Sequence, residues 1–446
     1  MVKALRNAFK IPELKKRIVF TALLLIVYRV GAHITLPGVD DKALEVFFEN
    51  LAGRFGKAGS NVIGFINLFS GGAFKQMTIF ALGIQPYISA SIAMQLLTVV
   101  IPSLEKLSKE DGGRKKIVQY TRYGTVILSI VQGVGISTML RNPAAIGSDQ
   151  PVVLNPTLGW TLLVMITLMA GTAFVMWLGE QITEHGIGQG ISMIITVGIV
   201  SGLVPGAFRL VSSLIEGTLK IPALVLFLGL IVVAIMGTVF IQLAVRKIPV
   251  QYARRIVGRK VYGGQTTHIP LRVNTAGMIP IIFAVTLMQF PPTMLGFLPS
   301  SWKWIQSAQS LFSSSNPFYV LMYASLIVGF TYFYTAVQVN PVEMAENLRK
   351  YGGFIPGVRP GNNTAEYINS TLTRITLPGA LFLAGIAVIP MIFEGVLKIG
   401  TMVSGASLLI VVGVVLDTVS QIESYLTTRH YEGFLKNQRV KGRRRR

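Results

Sequence analysis

Ten stretches of this chain are each long enough to cross a bilayer, and between them they carry only two charged side chains, Arg29 and Asp417, in a protein with 41 Lys and Arg. They lie at residues 18–36, 76–101, 123–140, 157–179, 187–206, 221–245, 273–295, 317–339, 375–393 and 402–422. A hydrocarbon core about 30 Å thick calls for roughly 20 apolar residues at about 1.5 Å rise per helical residue, and each stretch meets that demand. Lipid offers no partner to a free backbone N–H or C=O, so such runs are expected to be helices. A length of 446 residues alone would suggest two or three soluble domains, but 51% hydrophobic residues and a mean hydropathy of +0.58 overrule that.

The loops orient the spans. Segments 1–17, 102–122, 180–186, 246–272, 340–374 and 423–446 hold 31 Lys and Arg, against 9 in 37–75, 141–156, 207–220, 296–316 and 394–401. Basic residues are retained on the cytoplasmic side, so both termini are expected there. The net charge of +22 is then first a matter of topology, and nucleic-acid binding does not follow from it. A basic N-terminus before an apolar run imitates a secretory signal; no small-residue cleavage site follows and Arg29 interrupts the run, so a retained first helix is expected. The absence of cysteine removes disulfides, thiol nucleophiles and sulfur metal sites.

Ten spans with both ends inside divide into two sets of five, residues 1–206 and 207–446. An odd number per half makes the second half enter from the opposite side, with span k equivalent to span k + 5. Such a repeat suggests a secondary transporter, here one for a small neutral solute; a structural membrane scaffold is a further class. Ion coupling has little to work with: Asp417 lies toward the cytoplasmic end of span 10, Arg29 lies in the outer half of span 1, and His33, His185, His268 and His430 fall outside the spans. Arg29 reads as a snorkelling or helix-pairing arginine. In Gly53-Arg-Phe-Gly-Lys57 the glycine spacing is wrong for a phosphate loop, and Ala58 stands where a Ser or Thr would hold magnesium. No metal-spaced His cluster, nucleophile elbow or close carboxylate pair lies in a span, so neither catalysis nor a cofactor is expected.

The spans do contain polarity without charge. Span 2 carries Gln85, Tyr87, Ser89, Ser91, Gln95 and Thr98, span 7 carries Asn274, Thr275, Thr286 and Gln289, and span 5 carries Ser192, Thr196 and Ser201. Hydroxyls and amides can bond helices to one another, yet their concentration in a subset of spans suggests a wet interior lining. Loop 61–75 is uncharged from Asn61 to Phe74 and ends at the Gly71-Gly72 break; too short to span, it reads as a re-entrant or interfacial helix.

Four strings, Phe80-Ala-Leu-Gly-Ile-Gln-Pro-Tyr-Ile-Ser-Ala-Ser-Ile92, Ile182-Thr-Glu-His-Gly-Ile-Gly-Gln-Gly-Ile-Ser192, Thr267-His-Ile-Pro-Leu-Arg-Val-Asn274 and Gly353-Phe-Ile-Pro-Gly-Val-Arg-Pro-Gly361, closely resemble the bacterial SecY family of protein-conducting channel subunits. They occur in order over essentially the full chain; loop 142–156 and the Arg443–Arg446 tail stay unmatched. The resemblance implies an all-α integral membrane protein, ten transmembrane helices in two inverted five-helix halves around a central hourglass pore. It implies a constriction ring of Ile84, Ile88, Ile191, Ile195, Ile282 and Ile410. Ile84, Ile195, Ile282 and Ile410 each lie eight or nine residues from a span end, about 12–14 Å into a core whose midplane is near 15 Å. Stiff β-branched side chains would form a dewetted collar that blocks ions and binds no particular sequence.

The same resemblance makes Asn61-Val62-Ile63-Gly64-Phe65-Ile66-Asn67-Leu68-Phe69-Ser70-Gly71-Gly72-Ala73-Phe74 a plug below the ring. It places a lateral gate between spans 2–3 and 7–8, with Ser89, Gln95, Thr286 and Phe290 along it. Loop 246–272 is expected to hold extended segments around a hairpin turn at Gly263-Gly264, with Arg254, Arg255, Arg259 and Lys260 beside Tyr252 and Tyr262; loop 340–374 presents Arg349, Lys350 and Arg359. Both are longer than a tight connection requires. They become implied docking sites for the ribosome, whose RNA phosphates attract such bases, and for the SecA motor ATPase. SecE-type and SecG-type small membrane subunits, a signal sequence, an unfolded secretory polypeptide and membrane lipid complete the implied partners, in the bacterial plasma membrane.

Overall fold

The computed structural model describes residues 9, 11–54, 64, 67, 69–110, 112–141, 151–153, 156–217, 220–252, 255–257, 260–262, 266–296, 307–308, 311–312, 316–397 and 405–437. Among these, every expected span contains a helix: α1 (Pro12–Gly31), α3 (Gln85–Val100), α5 (Gly113–Arg141), α6 (Leu158–His185), α7 (Gly190–Ile215), α8 (Ile221–Leu243), α9 (Ile279–Gly296), α10 (Pro317–Gln338), α12 (Asn362–Leu397) and α13 (Gly405–Asn437). Shorter helices α2 (Asp41–Arg54), α4 (Pro102–Lys109) and α11 (Pro341–Lys350) lie between them. Among the described residues, seven helical segments are long and apolar enough to cross a membrane, or eight if the bent pair α3–α4 counts as one.

Helix starts follow the backbone chemistry of their first residues. Proline occupies the first or second position of α1, α3, α4, α8, α10 and α11, where its missing N–H costs no helical bond. Asn316 and Asn340 cap α10 and α11, their side-chain oxygens accepting from Phe318 N (3.0 Å) and Val342 N (3.2 Å). Pro102 also marks the 100° bend between α3 and α4.

Span 2 differs from expectation. Residues 76–84 are apolar but not helical, and the helix begins only at Gln85. Gly83 takes a left-handed φ of +54° and Met77 one of +42°, conformations that no α-helix contains. The segment is held instead by backbone pairing with the chain leaving α1: Leu36 N donates to Met77 O and Ile79 N to Ile34 O, both at 2.9 Å. Met77, Leu36 and Leu82 join Phe47, Phe48, Leu140, Val152 and Trp160 in one buried cluster, and the Trp160 indole donates to Pro37 O at 3.1 Å. Apolar composition therefore marks burial here, not helix.

The chain forms two compact units, one holding the described residues of 9–54, 64–206 and 414–437 and the other those of 207–413. In the first, α5 packs on α3 and α6, and α6 on α1; in the second, α10 packs on α9 and α12, and α12 on α8. Spans 2, 3, 4 and 1 thus keep the neighbour order of spans 7, 8, 9 and 6. The packing helices share a pattern too. Thr121, Thr125, Ser129, Gly133 and Ser137 form a buried stripe at every fourth position of α5, and Tyr319, Tyr323, Ile327, Thr331 and Thr335 form one on α10. Elsewhere the helices expose Phe208, Val233, Phe240 and Leu321, side chains suited to lipid.

Beyond the spans, the second unit carries a small sheet of order β4-β1-β5: β1 (Val245–Tyr252), β4 (Thr266–Arg272) and β5 (Gly353–Phe354). β1 and β4 pair antiparallel with Ile248 opposite Ile269, and β5 adds to β1 with Gly353 opposite Tyr252. The loops 246–272 and 340–374 are therefore one structure. At 36 residues α12 would be about 54 Å long, far more than the hydrocarbon core, and its first turns lie under the sheet through Ile368 and Leu372. A second hairpin pairs β2 (Arg255–Val257) with β3 (Lys260–Tyr262), Val257 opposite Lys260. The expected turn at Gly263-Gly264 lies outside the described residues.

Candidate functional site

Of the ring residues, Ile84, Ile88, Ile195, Ile282 and Ile410 are buried and Ile191 is half-buried. Ile84 is the N-cap of α3, so the helical rise assumed for its depth does not apply to the residues before it. Its carbonyl accepts from Ile88 N at 3.1 Å, which keeps the two on one face. Ile191 packs toward α6, where a Cβ on Gly179 would sit 3.0 Å from its Cγ1.

The positions of these residues within their helices are paired. Ile88 is the fourth residue of α3 and Ile282 the fourth of α9, while Ile195 is the sixth of α7 and Ile410 the sixth of α13. The local sequences match as well: Gly83-Ile-Gln-Pro-Tyr-Ile88 with Gly277-Met-Ile-Pro-Ile-Ile282, and Gly190-Ile-Ser-Met-Ile-Ile195 with Gly405-Ala-Ser-Leu-Leu-Ile410. Gly83 and Gly277 both have left-handed φ, +54° and +64°, two residues before a helix that opens X-Pro. A Cβ on Gly190 would collide with the Gly179 carbonyl of α6, and one on Gly405 with the Ile386 carbonyl of α12, while Ser192 and Ser407 behind them are buried. The sequence carries these hexapeptides as G-x-x-P-x-I and G-x-S-x-x-I, signals too short to stand out until the helix starts align them.

Of the segment expected to be the plug, Asn61, Val62, Ile63, Phe65, Ile66 and Leu68 lie outside the described residues. Asn67 ties its end together: Gly72 N and Ser70 Oγ donate to its carbonyl at 2.8 and 3.1 Å, and Lys75 N to its Oδ1 at 3.0 Å. Gly71 and Gly72 follow with φ of +66° and +93°, a conformation that other residues adopt at a cost. Tyr28 donates its hydroxyl to Ser70 O at 3.2 Å. Arg29 does more than snorkel. Its Nη1 donates to Gly71 O at 2.8 Å and to Ser201 Oγ on α7 at 3.1 Å. An arginine at depth in a bilayer costs about 2.5–3.5 kcal/mol on insertion scales, and these acceptors offset part of that.

The expected gate residues lie on α3 and α9. Gln95 donates to Ser91 Oγ at 3.4 Å along α3, Ser89 is half-buried, and the Thr286 hydroxyl is bonded back to Ile282 O at 2.8 Å; the side chain of Phe290 lies outside the described residues. Among the expected docking bases, Arg254 and Arg259 lie outside the described residues, as do the side chains of Arg255 and Lys260 on β2 and β3. Arg349 and Lys350 are exposed in the last turn of α11. Arg359 is exposed on a turn anchored by buried Ile355, with Val358 N donating to Ile355 O at 3.1 Å and the Thr364 hydroxyl to Arg359 O at 2.9 Å. Its cation is carried on a fixed support.

Solved structures share this architecture. "The structure of a protein conducting channel" aligns over 95% of this chain and 97% of that one with a TM-score of 0.63 at 18% identity. "Sec61 in the Canine ribosome-channel complex from the endoplasmic reticulum" aligns over 95% and 97% with a TM-score of 0.57 at 16% identity. The fold is that of an all-α, multi-pass membrane channel. The SecY family model matches residues 78–419. Protein translocase subunit SecY of Escherichia coli (strain K12) is 44% identical over 433 residues, covering 96% of each chain. Its counterpart from Thermus thermophilus is 45% identical over 453 aligned positions, covering 100% of both. The chain belongs to the SecY family.

Proposed function

We infer that this chain is the channel-forming subunit of a protein translocase, conducting unfolded secretory polypeptides across the bacterial plasma membrane and releasing apolar segments sideways into lipid. The observation that carries the reading is full-length identity of 44–45% to proteins named protein translocase subunit SecY. The matched helix starts of α3 with α9 and of α7 with α13 support a ring built from Ile88, Ile195, Ile282 and Ile410, with Ile84 and Ile191 flanking it. An aliphatic collar suits a cargo of any sequence, because it excludes water without offering a bond that would hold the passing chain.

In this reading residues 61–74 close the funnel as a plug, both termini are cytoplasmic, and the lateral exit runs beside α3 and α9 past Ser89, Gln95, Thr286 and Phe290. The two sequence halves act as inverted repeats. The sheet β4-β1-β5 with the Arg359 turn is the docking platform for the SecA motor and the ribosome, and small SecE-type and SecG-type subunits complete the assembly. Energy comes from those partners; the chain acts as a conduit and not as an enzyme. Purified protein in lipid vesicles separates this from transport of a small neutral solute: binding of ribosomes and SecA is expected, and concentrative uptake of a solute without such binding would replace the reading.

A further inference from the structure

We propose that Arg29 is a latch for the base of the plug, a positioning residue that holds the Gly71-Gly72 hinge against α1 and α7 until the channel opens. The inference rests on the reading of residues 61–74 as the plug and adds to it the group that sets its resting place.

The hinge sits in a notch shaped for glycine. A Cβ on Gly71 would lie 2.9 Å from Gly198 Cα, and one on Gly198 would lie 3.2 Å from Gly71 N and 3.3 Å from Phe69 O. Into this notch Arg29 donates to the Gly71 carbonyl at 2.8 Å, while Ser201, three residues beyond Gly198, gives its oxygen to the same nitrogen at 3.1 Å. Tyr28 takes the preceding carbonyl, Ser70 O, at 3.2 Å.

A guanidinium keeps its charge, so in a span it is satisfied only by acceptors, and a charge-assisted bond to a carbonyl is stronger than a neutral one. Movement of Gly71 away from α7 takes the nearer of these two acceptors from Arg29, so displacement is opposed at its first step. The hinge also touches the ring helices. Ser201 lies six residues after Ile195 on α7, and Ser70 Cα lies 3.4 Å from the position of a Cβ on Gly83, which precedes α3. A two-state element biased by one cation at the junction of plug and collar is what a latch requires.

The test is resting ion conductance of the full-length protein, assembled with its small subunits in planar bilayers. Arg29→Met keeps much of the length of the side chain and removes the donors; a tenfold or greater rise in resting leak is expected, with Arg29→Lys between it and the parent. Deleting residues 61–69 measures the plug reading separately. If the deletion raises the leak while Arg29→Met leaves it at the parent level, the latch is wrong and the plug stands; if the deletion itself leaves the channel tight, both fall. Adding Arg29→Met to the deletion should add no further leak, because the arginine acts through the plug, and an additive increase would mark a general loosening and overturn the proposal. Should Arg29→Met fail to accumulate, Ser201→Ala removes the second acceptor together with the hydroxyl's own 3.4 Å bond to Gly71 O: a severalfold rise supports the latch, and an unchanged leak contradicts it.

Discussion

Gly190 and Gly405 open their helices in the same way, each pressed against a backbone carbonyl of the helix before it, Gly179 for the one and Ile386 for the other. No other side chain fits, since even a methyl group would occupy the space of the carbonyl. Each is followed two residues later by a buried serine and five residues later by a buried isoleucine. The common geometry ties the positions of Ile195 and Ile410 to the packing of their own helices.

Alanine at Gly190 or Gly405 should therefore cost about 1–3 kcal/mol through overpacking, read as a lower thermal unfolding midpoint in detergent. Gly329 and Gly385 lie within helices where an added methyl would meet open space, and alanine there should be neutral or stabilising by up to about 1 kcal/mol. Equal effects at the tight and open positions would remove the packing account.

The collar is expected to be sealed by its apolar perimeter. Ile88→Asn together with Ile195→Asn should wet the constriction and raise resting single-channel conductance. An unchanged leak in that double variant would take both residues out of the ring.

In the proposed docking platform, support and contact are separable. Arg359→Glu changes an exposed side chain and should alter stability by no more than about 0.5 kcal/mol while impairing SecA-driven export. Ile355→Ala empties a buried site under the same turn and should cost about 2–5 kcal/mol, weakening SecA binding by loosening the support. Normal export by a fully inserted Arg359→Glu protein would leave that arginine without a docking role.

Much of the fold is legible in the sequence. Charge exclusion locates the helices, because lipid penalises charge and free backbone more than any local preference can offset. The start of α3 is hidden from hydropathy, which registers burial and cannot distinguish a helix from residues 76–84, paired with the chain after α1; Gly83 and Pro86 are the local signals that the helix begins later. The partners of Arg29 are out of reach for a different reason. Gly71 and Ser201 lie 42 and 172 residues away, and no local pattern reports a contact at that separation.

Protease protection tests most directly whether this chain forms the path for a polypeptide. Vesicles reconstituted with the protein, the proposed SecE-type and SecG-type subunits and SecA are given ATP and an unfolded secretory preprotein, then treated with protease. Full-length preprotein should be protected inside the vesicles, dependent on ATP and lost when detergent is added. Vesicles that contain inserted, SecA-binding protein and yet protect no preprotein would contradict it.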